Sequence, residues 1–169
     1  MLIDVSYFVS GSRHIQNASM SKTAGADSTA VNGVIEAYIK ELQPVFLESM
    51  LGETEASYAM DYLDMPVDGD DEEAEPSKYE VECERLKEPF ADYVLFNILR
   101  DASSQATITG NVRLKCANEY ISPIRAQVIA WNRMAEANVK FLKWAREGNC
   151  PISLETQTTM LNKINQFNL

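Results

Sequence analysis

Residues 90–99 read FADYVLFNIL and are the most apolar segment in the helical part of this chain. Phe90 and Val94 lie one helical turn apart, and Ile98 follows one turn later on the same face. Burying large apolar side chains of this kind contributes roughly 1.5–3 kcal/mol each, so the segment should lie in the core. The pattern predicts a central helix over about residues 78–102.

Two further helices are predicted upstream. Apolar residues recur every three or four positions over residues 30–51, and Gly52 follows as a helix stop. A shorter apolar pattern over residues 53–63 predicts a second helix. Pro44 and Pro89 each remove a backbone hydrogen bond, which costs about 3 kcal/mol inside a straight helix. We therefore expect a kink or break just before the first proline and an interruption at the second.

Downstream, the longest amphipathic pattern covers residues 123–147. Ser122 is placed to cap this helix, Pro123 suits its first position, and Gly148 follows its end. At a rise of 1.5 Å per residue the helix should be roughly 37 Å long. Ser153 is placed to cap a last short helix near the C-terminus.

The helical period is lost over residues 106–114, ATITGNVRL. Thr107 and Thr109 are β-branched, and Gly110-Asn111 is a turn pair. The stretch predicts a short β-hairpin or an extended loop. The predicted fold is therefore all-α, a bundle of four to five helices with one such hairpin or loop near residues 106–114. With 169 residues, the chain suits a single helical domain.

The net charge of −10 is concentrated in one part of the sequence. Residues 61–92 contain 13 acidic and three basic side chains, so the rest of the chain is neutral. The densest run is DGDDEEAEPS, residues 68–77. Such a run repels itself and contains little apolar surface, which predicts an acidic, flexible, solvated insertion at about residues 64–77.

Residues able to support catalysis are sparse. His14 is the one histidine, and its place in an N-terminal loop favours a surface residue over a triad member or metal ligand. Cys83, Cys116 and Cys150 are widely spaced and odd in number, which favours reduced thiols over disulfides or a zinc site. We therefore expect no enzyme activity and no cofactor.

The acidic insertion also resembles the beginning of a calcium-binding loop, with Asp68, Asp70 and Glu72 at alternate positions. The pattern then fails, because Glu73 stands where an EF-hand needs glycine and Tyr79 where it needs glutamate. We therefore expect no metal site, although weak attraction of divalent ions stays open.

A basic stripe follows the longest predicted helix. It is formed by Arg125, Arg133, Lys140, Lys143 and Arg146. The net charge opposes binding to nucleic acid, since phosphate contacts need an excess of basic residues. Two alternatives remain: an ordinary solvent-exposed face, or a surface for an acidic protein partner such as the insertion of a neighbouring copy. No apolar run approaches the ~20 residues of a membrane span.

Three stretches of this sequence resemble the small helical head-tail connector proteins of tailed phages, in a version found in prophages of anaerobic gut bacteria. They are IEAYIKELQPVFLESMLGE (35–53), PFADYVLFNILRDASSQATITGNVRLKCANEYISP (89–123) and AWNRMAEANVKFLKWAREGN (130–149). The resemblance covers roughly residues 31–149 and does not include the acidic insertion.

The resemblance implies a virion structural protein, a head-completion or adaptor subunit. Such a subunit would form a homo-oligomeric ring that contacts the portal protein and the tail or stopper proteins, and it would stay a monomer when isolated. The expected location is the virion or the host cytoplasm. The residues expected at a subunit or partner interface are Ile108, Val112, Leu114 and Trp144. The alternative is a bacterial helical protein-interaction module without catalysis.

Overall fold

The computed structural model describes residues 1–21, 25–65, 79–102, 104–107, 110–113, 123–150 and 152–167. Within these ranges it contains four α-helices: α1 (Ala26–Leu51), α2 (Glu53–Asp64), α3 (Glu80–Ala102) and α4 (Pro123–Trp144). The predicted helical class is confirmed. Most of the predicted acidic insertion, from residue 66 onward, lies outside the described residues.

Helices α1 and α3 both continue through their prolines. Pro44 lies inside α1 and Pro89 inside α3, so the predicted interruption at Pro89 is wrong. Tertiary packing explains the difference, because Phe46 and Phe90, which follow the two prolines, are fully buried. Their rings pack with centroids 5.2 Å apart. Burial of such side chains offsets the lost backbone hydrogen bond.

Helices α3 and α4 pack side by side in opposite directions. Trp131 in α4 meets Phe96 with ring centroids 4.9 Å apart, whereas Trp144, at the end of α4, lies against Arg85 near the start of α3. Much of the core between the helices is apolar, with Val94 and Met134 fully buried. This pairing places the end of α4 beside the beginning of α3.

Two short strands follow α3. Strand β1 (Ser104–Thr107) pairs with β2 (Gly110–Arg113) in antiparallel fashion, with Ser104 opposite Arg113 and Thr107 opposite Gly110. The two strands form a two-stranded sheet. This small ribbon extends from the end of α3 opposite to Trp144.

The chain after α4 does not form the predicted last helix. One wider turn, Ala145–Asn149, continues α4 and contains Gly148 at a left-handed φ of 83°. Residues 152–167, here called the strap, are extended apart from a 3₁₀ turn at Thr158–Leu161 and a turn at their end. The prediction of a helix capped by Ser153 is therefore wrong. The strap's Met160 N–H donates to the Gln157 carbonyl within the 3₁₀ turn, and several other peptide groups of the strap bond to α1 and α4.

The N-terminal segment is part of the core. Leu2, Ile3, Val5 and Phe8 are buried and belong to the same apolar cluster as the helices. The backbone N–H of Leu2 donates to Oε1 of the buried Gln43 at 2.6 Å. Two 3₁₀ turns, Val5–Phe8 and Gly11–Arg13, then lead the chain over the surface of α3. Both ends of the described chain therefore pack against the helices.

Candidate assembly interface

The structure does not bring the four predicted interface residues together. Val112 lies in β2 opposite Gln105, at the ribbon end of the α3–α4 pair. Ile108 and Leu114 lie outside the described residues. Trp144 lies at the opposite end, and a 22-residue helix such as α4 is roughly 33 Å long. Val112 and Trp144 therefore cannot belong to one small contact patch.

Trp144 is half-buried within its own chain. Its ring packs against Phe141 with centroids 5.7 Å apart, and the Arg85 guanidinium lies 4.2 Å from the ring centroid. A cation placed over an indole face in this way is attracted by the ring electrons. These contacts connect α4 to α3, so only part of the ring remains for an external partner.

A buried ion cluster connects three elements. The Asp92 carboxylate in α3, with its side chain 3% exposed, accepts hydrogen bonds from Arg13 Nε at 2.8 Å and Arg133 Nη2 at 2.5 Å. Arg13 also forms an ion pair with Glu88 at 2.6 Å. Burial alone would lower the pKa of Arg13, but the hydrogen bonds and negative charges of Asp92 and Glu88 outweigh burial and raise that pKa. The Arg13 guanidinium therefore stays charged, and the cluster fastens the N-terminal segment to α3 and α4.

Arg133 belongs to the basic stripe predicted along α4. Its guanidinium points toward Asp92, and its buried Nε has no hydrogen-bond partner among the described residues. The other members of the stripe, Arg125, Lys140, Lys143 and Arg146, are exposed. Arg133 therefore makes a contact within the protein, whereas the other four residues of the stripe are exposed to solvent.

A second buried carboxylate lies beside two thiols. Glu82 is completely buried, and its Oε1 accepts from the Cys150 thiol at 3.5 Å. Its Oε2 has no partner in the described part of the chain. Burial raises the pKa of Cys83 to about 12, and burial followed by the Glu82 hydrogen bond raises the pKa of Cys150. Thiols held in the protonated form are weak nucleophiles, so this arrangement does not activate either cysteine.

His14 lies on the surface. Its side chain is exposed, and its Nδ1 is 2.8 Å from the backbone oxygen of Val9. That contact fixes the ring against its own turn. The described residues contain no group of three or more His, Cys, Asp or Glu side chains arranged to hold a metal ion. Nor does the described part of the chain include a helix long and apolar enough to cross a membrane.

The strap is held to α4 mainly through its backbone. Asn138 Nδ2 donates to the carbonyl of Met160 at 2.9 Å, and Trp131 Nε1 donates to the carbonyl of Asn162 at 2.8 Å. Asn132 makes two bonds to Ile164, donating to its carbonyl at 3.0 Å and accepting from its N–H at 2.8 Å. We call these three side chains, Trp131, Asn132 and Asn138, the α4 ladder.

The beginning of the strap is held by the end of α1. The N–H of Gln157 donates to the carbonyl of Ser49 at 2.8 Å, and Thr156 Oγ1 donates to the carbonyl of Met50 at 2.7 Å. These are carbonyls that the end of a helix leaves without an intrahelical partner. Between this contact and the end of α4 lies a groove of about 650 Å³, lined by Leu142, Cys150, Ile152 and Leu161 among others.

Sequence reasoning missed both the ion cluster and the α4 ladder. Trp131 is half-buried, and its indole N–H is bonded to the strap. The available signal was the presence of Asn132 and Asn138 within an apolar helix, since asparagine is a poor helix former that is kept where its amide has a partner.

No family model matches this chain, and comparisons with curated proteins and with solved structures found no match either.

Proposed function

We propose that this chain is a structural subunit of a phage or prophage virion, a head-tail connector that forms a ring contacting the portal and tail components and has no catalytic activity of its own. The sequence resemblance over residues 31–149 supports this proposal, and it includes most of α1, α3 and α4. Its expected location is the virion or the host cytoplasm.

The observation that carries an assembly role is the ribbon of β1 and β2. In a two-stranded sheet each strand pairs on one side alone, so each has an outer edge without a ladder partner among the described residues. Open edges of this kind readily accept a strand from another chain. The ribbon therefore offers a backbone-mediated contact between neighbouring subunits or with the portal.

The charge of the chain agrees with a position around a DNA passage. A net charge of −10 repels the phosphate backbone, so DNA would pass without sticking. The exposed basic residues of α4, including Lys140 and Lys143, would face an acidic protein surface instead. The negative net charge and the exposed basic residues of α4 together predict protein partners and no sequence-specific binding to nucleic acid.

Mixing the purified chain with the portal protein encoded beside it tests the proposal. Light scattering should show a monomer for the chain alone and a larger complex with the portal. Val112→Asp should weaken the complex because it places a charge in the ribbon. Val139→Asp, which places the same charge at an exposed site on α4, is the matched control and should bind like the parent.

Absence of a complex at every salt concentration would refute the connector proposal. The alternative, a bacterial helical protein-interaction module without catalysis, would then become the better explanation. Neighbouring genes also distinguish the connector from the interaction module, because a connector gene belongs beside portal, capsid and terminase genes.

A further inference from the structure

The contacts between the strap and the α4 ladder are of a kind that another copy of the chain can reproduce. The ladder bonds to peptide groups at Met160, Asn162 and Ile164, and Met160 supplies a buried side chain beside them. All of these groups lie in one continuous terminal segment. A second copy of the chain therefore offers the same set of contacts without any change of sequence.

The chain between α4 and the strap has the features of a hinge. Gly148 has φ 83° and ψ 13°, a left-handed conformation that turns the chain away from the axis of α4. A Cβ atom built at Gly148 would meet nothing within 4 Å. The chain turns at this point through a backbone conformation that glycine favours. The first buried residue of the strap, Ile152, lies four positions later.

We propose that the strap is exchanged between copies of this chain, so that the α4 ladder of one copy binds residues 152–167 of a second copy. Because exchange preserves every strap contact, the balance between the closed monomer and the exchanged form depends on the hinge and on protein concentration. Reciprocal exchange gives a dimer, and exchange in one direction around a circle gives a ring. The proposal goes beyond the connector function and requires neither a portal protein nor a phage.

The first test uses the hinge. Gly148→Val places a β-branched residue in a left-handed conformation without a steric clash, which strains the closed monomer alone. The strain of a left-handed conformation at a residue other than glycine should strengthen self-association roughly 5- to 30-fold for each hinge. Analytical ultracentrifugation over a concentration series measures the change. Gly148→Asn is the matched control, because asparagine tolerates the left-handed region, and it should behave like the parent.

A mixture of two Gly148→Val chains, one carrying Asn132→Ala in its ladder and the other Ile164→Pro in its strap, identifies the strap as the exchanged element. Each chain alone lacks bonds between Asn132 and residue 164, whereas exchange in the mixture restores them at one of the two sites, so the mixture should associate more strongly than either chain alone. If Gly148→Val keeps its helical circular dichroism and stays monomeric up to its solubility limit, strap exchange is refuted. A mixture that associates no more strongly than each chain alone refutes it as well, because the contact would then lie elsewhere.

A second test leaves the hinge unchanged. A fluorescent synthetic peptide of residues 152–167 is titrated into the full chain and followed by anisotropy. Binding to the Met160→Ala chain should be about tenfold tighter than to the parent, because a weakened internal strap occupies the ladder less of the time. A peptide carrying Ile164→Pro lacks the N–H that bonds to Asn132 and should bind more weakly.

Failure of the parent peptide to bind either the parent or the folded Met160→Ala chain would overturn the proposal. Failure of the portal experiment would leave these measurements unaffected, so the two proposals can be refuted separately.

Discussion

The Asp92 carboxylate pairs with two guanidinium groups that are both largely removed from water. The side chains of Arg13 and Arg133 are 18% and 29% exposed, and that of Asp92 is 3% exposed. Removing one partner from a buried ion cluster leaves the other charges poorly solvated, which typically costs 3–5 kcal/mol. We expect Asp92→Asn to lower the free energy of unfolding by about 3 kcal/mol, measured by urea denaturation.

Glu84→Gln is the matched control for that substitution. Glu84 pairs with Lys87 one turn along α3, but its side chain is 67% exposed. Exposed pairs contribute about 0–1 kcal/mol, because water solvates both groups in either state. If Glu84→Gln lowers the free energy of unfolding as much as Asp92→Asn does, burial does not explain the contribution of the Asp92 cluster.

At the scale of elements, local sequence patterns predicted the helices well. The second predicted helix, residues 53–63, differs from α2 by one residue at its end, and the predicted end of the central helix is the end of α3. These helices carry a continuous apolar period, and α2 follows directly after the glycine stop. Local patterns of that kind are sufficient to place a helix.

Elements whose conformation depends on distant partners were not predictable in the same way. The strap is extended because its peptide groups bond to Ser49 and to Asn132, which are 108 and 32 residues away from their partners Gln157 and Ile164. The predicted cap at Ser153 was a local signal that these distant contacts outweigh. The interface prediction shares this weakness, since a list of apolar residues does not show that Val112 and Trp144 lie at opposite ends of the α3–α4 pair.

Gly52 joins two helices and the strap, and it offers a test of how closely these elements fit. It has φ 87° and ψ 161°, a region that is essentially restricted to glycine. A Cβ atom there would lie 2.9 Å from the Cβ of Glu155 in the strap. We expect Gly52→Ala to lower the free energy of unfolding by about 2–3 kcal/mol, because strain and displacement of the strap add together.

The control for Gly52→Ala is Gly33→Ala in the exposed part of α1. A Cβ at Gly33 would meet nothing within 4 Å. Alanine is the better helix former, so this variant should gain about 0.5–1 kcal/mol. Chemical denaturation of both variants measures the difference, and a similar effect of the two changes would argue against a close contact between Gly52 and the strap.

At the scale of the whole molecule, the described chain keeps its charges in two kinds of environment. Buried charges such as Asp92 have internal partners, whereas the exposed basic residues of α4 face solvent. The carboxylates of residues 68–77 supply most of the excess negative charge. Folding and net charge therefore depend on largely separate sets of residues, and the two can be changed independently.

Replacement of residues 68–77 by a Gly-Ser linker of equal length tests that separation. The change removes six carboxylates and moves the net charge from −10 to −4, while the number of residues stays constant. Six like charges within eight residues repel one another, and nothing apolar offsets the cost of ordering them. We expect the free energy of unfolding to stay within about 1 kcal/mol of the parent value.

A larger loss would mean that the acidic run is held in the folded state. Repeating the measurement with a chelator and at high salt would then distinguish a bound metal ion from attraction to the exposed basic residues of α4, because salt screens surface charges but does not remove a metal.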